Sequence, residues 1–348
     1  MTTNIDTNKK TASTPASFNK NSDLEELLSR INNYLQPAEE KQAHQEECKH
    51  PIILLVGAPR SGTTLFMQWL NSSKTIAVPS NLISRFYAAP AFGVMLQRLL
   101  TDPKYDYRNE FDLANIQDLE FNSEFGKTKG LLGHNSFFYF WRQFFPLAES
   151  APLTKEEIEQ VDTAGLKHQL AKFSNEFGMP LAMKAYLVQY NLRLLEKTLD
   201  RVLFVHISRD PVSVMESLLK VRKRLYGDKM RWWGCRPPGS ELLDSCDPFT
   251  QVAGQIEFTE RSIQAELAEL PEAKYLKISY EQLCKNPESI WDQLQTKIIA
   301  LSDPSTAASL ETNNQYIGPK SFNFSASDKT TDQRYINGLQ IAKRMQSQ

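Results

Sequence analysis

The chain has 348 residues, of which 41% are hydrophobic and 23% are charged, and its formal net charge is −1. That balance is ordinary for a soluble globular protein and excludes a global positive field for nucleic acid or a membrane surface. The four cysteines are scattered without a CxxC pair, which argues against a zinc site and a disulfide framework. No apolar run reaches the ~20 residues of a membrane span, so we expect a cytoplasmic protein without a transmembrane segment.

The N-terminal residues 1–22 are polar, poor in aromatic side chains and without the apolar core of a signal peptide. They are predicted to form a disordered tail. The next stretch, "DLEELLSRINNYL", has apolar residues at helical spacing and predicts a helix that packs on the rest of the protein. We expect residues 23–348 to form a single domain.

The first chemical signal is the octet "GAPRSGTT" at residues 57–64, which follows the continuous apolar run 51–56. A short, fully apolar run is typical of a strand buried on both faces, and helical spacing begins after Gly62. The octet is therefore predicted to join a buried strand to the start of a helix. Unpaired N–H groups and the helix dipole make such a junction a binding site for anions.

The octet has the outline of an NTP-binding loop, but Thr63 stands where that loop needs a lysine. The positive charge lies earlier, on Arg60. Without the lysine, a bound triphosphate would lose its main counter-charge. The loop thus favours a single phosphate-like group over ATP, with a P-loop kinase or NTPase kept as an alternative.

The rest of the chain predicts an α/β fold. Residues 75–180 are rich in aromatic side chains and predict a mostly helical insertion. Three strand candidates follow, "MPLAMKA", "RVLFVHIS" and "AKYLKIS", each succeeded by a helical segment. This alternation predicts a central parallel sheet flanked by helices. After about residue 301 the sequence is polar and rich in turn residues, typical of a covering loop or a loose tail.

A second motif, "VLFVHISRDPVSVMES", places Arg209 at the end of a predicted strand. Open α/β sheets bind ligands at the carboxyl ends of their strands. Ser217 lies eight residues further on, in the following helix, and with Arg209 could hold a second phosphate. The structural alternative is that Arg209 pairs with a carboxylate while Ser217 is a solvated helix residue.

Together the two motifs resemble those of sulfotransferases that use 3′-phosphoadenylyl sulfate (PAPS). The octet is similar to their 5′-phosphosulfate loop, the Arg209 motif to their 3′-phosphate motif, and "YLKISYEQLCKNPES" to a third segment. The resemblance covers about residues 50–70, 180–225 and 270–300, and it is of the bacterial type. It implies a P-loop-like fold and sulfuryl transfer from PAPS to a hydroxyl or amine of an acceptor. No metal is expected, because PAPS carries no triphosphate to neutralise. The aromatic side chains of the insertion favour a small lipophilic acceptor.

The resemblance also implies roles for individual residues. Arg60 would be a catalytic cation beside the bridging oxygen of PAPS, and Lys184 would lie near the sulfuryl group. Arg209 and Ser217 would bind the 3′-phosphate, and Tyr280 would contact the adenine. The loop residues that would hold the 5′-phosphosulfate with their backbone are Ser61, Gly62, Thr63 and Thr64.

Two departures from the family pattern leave one adenine contact and the general base unassigned. Leu65 replaces the tryptophan that stacks on adenine in cytosolic members, and Tyr186 replaces their histidine base. The candidates that remain for a general base are Glu110, Asp112, Glu124 and His134. The aromatic side chains expected to line the acceptor pocket are Phe86, Tyr87, Phe92, Phe137, Phe138, Tyr139, Trp141, Trp232 and Trp233.

Because no base is evident, a non-catalytic nucleotide-binding protein is the remaining alternative to an enzyme.

Overall fold

The computed structural model describes residues 21–41, 47–106, 108, 123–124, 126–312 and 332–345. Residues 1–20 of the predicted N-terminal tail lie outside this described part of the chain. Among the described residues, no helix has both the length and the apolar character that crossing a bilayer requires.

The centre of the fold is a four-stranded sheet in which each neighbouring pair of strands is parallel. The strands, including a short antiparallel hairpin formed by the second and third, are β1 (Ile52–Val56), β2 (Ser123–Glu124), β3 (Lys127–Thr128), β4 (Leu181–Lys184), β5 (Val202–Ser208) and β6 (Tyr275–Ser279). The sheet order is β4-β1-β5-β6. Every residue of β1 is buried, as its uninterrupted apolar sequence predicts. The expected α/β architecture is confirmed.

Helices surround the sheet and extend the chain beyond it. Their bounds are α1 (Ser22–Lys41), α2 (Thr63–Ser72), α3 (Pro90–Thr101), α4 (Phe138–Phe144), α5 (Lys155–Gln160), α6 (Thr163–Phe177), α7 (Leu192–Thr198), α8 (Pro211–Tyr226), α9 (Pro248–Ala268), α10 (Tyr280–Lys285), α11 (Pro287–Leu301), α12 (Pro304–Thr312) and α13 (Gln333–Met345). The start of α8 follows the sequence signals: Pro211 is its first residue, and Asp210 accepts a hydrogen bond from the Ser213 N–H at 2.8 Å.

The alternation of side chains along β1 divides the core into two layers. Ile52, Leu54 and Val56 pack with the insertion helices α4 and α6, whereas Ile53 and Leu55 pack with α2 and α11. Successive side chains of a strand point to opposite faces, so a strand covered by helices on both sides must be apolar throughout. This burial holds the strand ends, and the loops that follow them, in fixed positions.

Within the expected loop or tail after residue 301, the described residues form the helices α12 and α13, and residues 313–331 lie outside the described part of the chain. Helix α13 packs on α9, where the backbone at Gly338 approaches the Phe249 carbonyl so closely that a Cβ would lie 3.0 Å from the oxygen. The 21-residue helix α9 was not predicted either. It is covered on one side by α8 and on another by α13, and many of its buried residues are polar.

Candidate active site

The site lies at one edge of the sheet because all four parallel strands end there. Strand β1 leads into the octet, β4 ends at Lys184, β5 leads to Arg209, and β6 leads to Tyr280. Residues far apart in the sequence are thereby brought to neighbouring strand ends, as expected for ligand sites in open α/β sheets. A cleft of about 510 Å³ opens at this edge.

Gly62 ends the loop with a backbone that other residues avoid. Its φ is 103°, and a Cβ at this position would collide with the ring of Tyr280. The loop therefore lies directly against α10, which only glycine allows. Gly62 provides no side-chain cap, so α2 begins with the N–H groups of its first turn facing the cleft without a capping side chain.

The buried Gln189 and the partly buried Glu260 hold the start of the loop. The Gly57 N–H donates to Gln189 Oε1 and the Ala58 N–H donates to Glu260 Oε1, both at 3.4 Å. The second carboxylate oxygen of Glu260 lies 2.8 Å from His206 Nε2, in mid-strand β5. The loop is thus anchored to both α9 and the sheet.

Three predicted cations line the same cleft. Arg60 Nε donates to Ser217 Oγ at 2.9 Å, which joins the two predicted phosphate motifs through one hydrogen bond. Lys184 Nζ donates to Thr64 Oγ1 at 2.9 Å. The Arg209 guanidinium lies over the Tyr280 ring, 4.2 Å from its centroid.

The pKa values of these cations show that they are crowded together in a buried position, as in a site that binds anions. Burial, with Arg60 nearby, lowers the pKa of Lys184 to about 7. Burial and the neighbouring Arg209 also lower the pKa of Arg60. Among the described residues that line the cleft there is no carboxylate. Like charges confined together, with no carboxylate between them, gain stability when a multiply charged anion binds.

Ser61 adds a polar group to the loop. The side chain is 1% exposed, and its hydroxyl has no hydrogen-bond partner within the described chain. A buried hydroxyl without a partner costs about 1–3 kcal/mol, which a ligand oxygen or an ordered water would recover. Ser61 does not line the cleft, however, so its predicted contact with the 5′-phosphosulfate stays a prediction.

The sequence model that describes the Sulfotransferase family matches residues 51–298, which is more than half of the chain. The chain belongs to the sulfotransferase family. The matched range contains the octet, Lys184, Arg209, Ser217 and Tyr280. No curated protein sequence gives a significant match to this sulfotransferase.

Solved sulfotransferase structures resemble the chain at low sequence identity. Sulfotransferase STF9 from Mycobacterium avium aligns over 94% of this chain and 84% of its own, with a TM-score of 0.54 and 16% identity. STF1 from Mycobacterium tuberculosis H37Rv aligns over 92% of this chain and 81% of its own, with a TM-score of 0.46 and 14% identity. The sulfotransferase domain from the curacin biosynthetic pathway aligns over 86% of this chain and 98% of its own, with a TM-score of 0.40 and 14% identity. The STF9 likeness shows a shared fold.

The candidate bases of this sulfotransferase lie in different surroundings. His134 is 3% exposed, its ring does not line the cleft, and neither ring nitrogen has a hydrogen-bond partner within the described chain. Burial, with Lys184 nearby, holds its pKa well below the ordinary value, so the ring is neutral. Glu124 forms an ion pair with Arg224 at 2.8 Å. Glu110 and Asp112 lie outside the described residues.

Of the aromatic side chains expected around the acceptor of this sulfotransferase, Phe138 and Trp233 line the cleft. Phe137 and Trp141 belong to the core instead, and Tyr87 stacks on Tyr139. The aromatic composition of the insertion therefore mainly reflects packing. The cleft residues that the sequence did not indicate are Ser123, Gly126, Lys127, Ser136 and Gly234.

Tyr186, which replaces the family's histidine, has a structural role in this sulfotransferase. Its hydroxyl accepts a hydrogen bond from the Cys235 N–H, and burial raises its pKa well above the ordinary value. A phenol that stays protonated and bonded in this way is a poor proton acceptor. In the described part of the chain, no three His, Cys, Asp or Glu side chains are grouped as metal ligands.

Proposed function

We propose that this sulfotransferase moves a sulfuryl group from PAPS to a hydroxyl or amine of a small lipophilic acceptor and releases adenosine 3′,5′-bisphosphate. The observation that carries the proposal is the distribution of charge along the sheet edge. Arg60 and Lys184 flank the start of α2, and Arg209 lies at the next strand end, all in one cleft. A donor with two separated anionic groups matches this arrangement.

The loop is assigned the 5′-phosphosulfate. Its backbone N–H groups, Ser61, Gly62, Thr63 and Thr64 would surround the anion at the positive end of the α2 dipole. Arg209 and Ser217 are assigned the 3′-phosphate. Tyr280 would contact the adenine with the part of its ring that Arg209 and Gly62 leave accessible.

The chemistry requires a loose, in-line displacement at sulfur, comparable to phosphoryl transfer. The acceptor oxygen or nitrogen bonds to sulfur while the bond from sulfur to the 5′-phosphate oxygen breaks. Negative charge grows on the leaving phosphate, where Arg60 and Lys184 would stabilise it. The acceptor proton passes to a base, for which the sequence offers His134 and Glu110. The His134 ring would have to move to reach the cleft, which it does not line, and Glu110 lies outside the described residues.

The acceptor is assigned to the side of the cleft lined by Phe138 and Tyr186, whose ring centroids lie 6.0 Å apart beyond the end of β4. These side chains offer apolar surface, which supports a lipophilic acceptor. The location that we propose is the cytoplasm. All four cysteines are free thiols, as is usual in a reducing compartment.

Thermal stability with added nucleotides tests the donor. Saturating adenosine 3′,5′-bisphosphate is expected to raise the Tm, because a ligand that binds only the native state stabilises by about 2.7 kcal/mol at 100 times its Kd. ATP with Mg²⁺ is expected to raise it much less. A shift with ATP–Mg²⁺ alone would favour the kinase or NTPase alternative. Bisphosphate binding without turnover of labelled PAPS over a broad acceptor panel would favour a non-catalytic binding protein.

Arg209 is tested by comparing two nucleotides that differ in one phosphate. Arg209→Ala is expected to weaken adenosine 3′,5′-bisphosphate binding by about 10–100-fold, since a hydrogen bond to a charged group contributes about 1.5–3 kcal/mol. Binding of 5′-AMP, which lacks the 3′-phosphate, should change little. Isothermal titration of both nucleotides measures this difference, and an equal loss for both would remove Arg209 from the 3′-phosphate site.

A further inference from the structure

The hairpin formed by β2 and β3 brings a fourth cation to the cleft. Lys127 lines the cleft with the three cations described above, although neither phosphate motif of the sequence contains it. Its side chain is exposed at the rim, and partial burial lowers the pKa of its amine. A donor with a phosphate monoester and a phosphosulfate carries about four negative charges at neutral pH, about two of them on the monoester. One cation beyond Arg60, Lys184 and Arg209 would therefore balance the donor.

The position of the hairpin depends on its contacts with the rest of the chain. Its two strands pair through two residues each, and a hairpin of that size is not stable by itself. On the β3 side, Asn81 Nδ2 donates to the carbonyl oxygens of Thr128 and Gly130 at 3.3 and 2.8 Å. Thr128 Oγ1 donates to the His134 carbonyl oxygen at 2.7 Å. These bonds fix the end of the hairpin that follows Lys127.

The turn of the hairpin lies against the first turn of α2. Gly126 has a φ of 87°, and a Cβ at this position would lie 3.6 Å from Thr64 Oγ1. The same hydroxyl accepts the hydrogen bond from Lys184 Nζ. Lys127 directly follows Gly126, so its amine enters the cleft beside the start of α2, the place assigned to the 5′-phosphosulfate.

The β2 side of the hairpin is tied to the other phosphate motif. Glu124 Oε1 accepts from Arg224 Nη2 on α8 at 2.8 Å. Arg224 follows Ser217 by two turns of that helix, at about 3.6 residues per turn, so both side chains lie on the same face. The hairpin thus bridges α2 and α8, the two helices that follow the phosphate motifs.

We infer that Lys127 is a further donor-binding residue, which contacts the 5′-phosphosulfate from the hairpin, and that Glu124 is its positioning residue through the ion pair with Arg224. This inference rests on the proposed function. It gives the insertion a part in binding the donor. It also gives Glu124, a candidate base in the sequence, a different role.

Three nucleotides locate the contact of Lys127. Lys127→Met is expected to weaken binding of adenosine 3′,5′-bisphosphate and of 5′-AMP by about three- to tenfold, the range of a partly exposed hydrogen bond between charged groups. Binding of 3′-AMP, which lacks the 5′-phosphate, should change little. Isothermal titration measures all three.

Lys129→Met is the matched control for the loss of charge. Lys129 is also exposed and lies two residues further along, but it does not line the cleft. Its replacement should leave all three affinities within about twofold, as is usual for an exposed side chain without a ligand contact.

Steady-state kinetics separate the donor from the acceptor. With labelled PAPS, and with the aromatic alcohol 2-naphthol as acceptor, Lys127→Met is expected to raise the KM for PAPS by a factor similar to the loss of bisphosphate affinity. The KM for 2-naphthol should stay within about twofold, because binding energy is lost only on the donor side. A rise confined to the KM for 2-naphthol would place Lys127 at the acceptor and overturn the donor assignment.

The positioning role of Glu124 is tested by breaking its ion pair from either side. Glu124→Gln and Arg224→Met are each expected to weaken bisphosphate binding by about two- to fivefold, the most that an exposed pair contributes. The double variant should lose no more than either single variant, because both act through one interaction. Additive losses would overturn the positioning role. So would a lower kcat in Glu124→Gln with unchanged bisphosphate binding, which is the result expected of a general base.

The remaining outcomes separate this inference from the proposed function. If the wild type binds the bisphosphate and Lys127→Met binds it as tightly as Lys129→Met does, Lys127 has no part in donor binding, while the donor proposal stands. Equal losses for 5′-AMP and 3′-AMP would overturn its placement at the 5′-phosphosulfate. If the wild type fails to bind the bisphosphate, the proposed function is overturned, and this inference with it.

Discussion

Replacing Arg60 with alanine is expected to lower kcat by about 10²–10³-fold, the usual cost of removing one group that stabilises charge in the transition state. Arg60 lies in the loop between β1 and α2, lines the cleft and is largely buried. Its charge therefore acts at short range and with little screening by water. Bisphosphate binding should weaken less than turnover, because Lys184 and the start of α2 stay in place.

Two further variants separate the charge of Arg60 from its hydrogen bond. Ser217→Ala removes the partner of Arg60 Nε but leaves the guanidinium in place, so a smaller loss of kcat is expected. Arg60→Lys keeps the charge and should retain part of the activity. Steady-state kinetics with labelled PAPS and 2-naphthol provide the measurement. Wild-type kcat in Arg60→Ala would remove this residue from the catalytic assignment.

The second large effect concerns pH and Lys184. In the free protein the pKa of this amine is about 7, because burial and the nearby Arg60 disfavour its charged form. A bound anion favours the charged form and raises that pKa. Above pH 7, binding must therefore take up a proton, and bisphosphate affinity is expected to fall by up to about tenfold per pH unit.

The stability of the free protein should respond in the opposite direction. The unfolded chain has a normal lysine, so between pH 7 and about 10 it binds more protons than the native protein. The contribution of Lys184 to the free energy of unfolding therefore rises with pH in that range. Titration calorimetry and thermal melts at pH 7–9 measure the two slopes.

Lys184→Met is the control for both slopes. Methionine has a similar length and no charge, so the difference between wild type and variant isolates this one amine. In the variant, bisphosphate affinity should be lower at pH 7 and nearly independent of pH above it. His134 is neutral throughout this range and does not contribute. A wild-type pH profile in the variant would contradict the assignment.

The sequence alone predicted the features of this fold that are local in the chain. The apolar run 51–56, the octet and the helix after it are contiguous, and their order determines the strand, loop and helix. Arg209 could be placed at the ligand edge because it follows a strand directly. These predictions needed only periodicity and the rule that ligands bind at strand ends.

Other features depend on contacts that the sequence does not show. The hydrogen bond from Arg60 to Ser217 spans 157 residues, and the low pKa of Lys184 results from its packing. Helix α9 was missed because it is buried on several sides and carries buried polar side chains, so it has no clear apolar stripe. The polar residue Gln255 on that helix donates to the carbonyl oxygens of Trp233 and Cys235, in the connection between α8 and α9.

The strand order β4-β1-β5-β6 determines the distance between the cations that would bind the two anionic groups of the donor. Parallel strands lie about 4.8 Å apart, so the ends of β4 and β5 are separated by two intervals, or about 10 Å. Lys184 and Arg209 mark those two ends, with the loop between them. A nucleotide that carries all its phosphates on the 5′-oxygen would leave either Lys184 or Arg209 without an anionic group to bind. Discrimination between nucleotides then depends on the distance between their charges rather than on the number of charges.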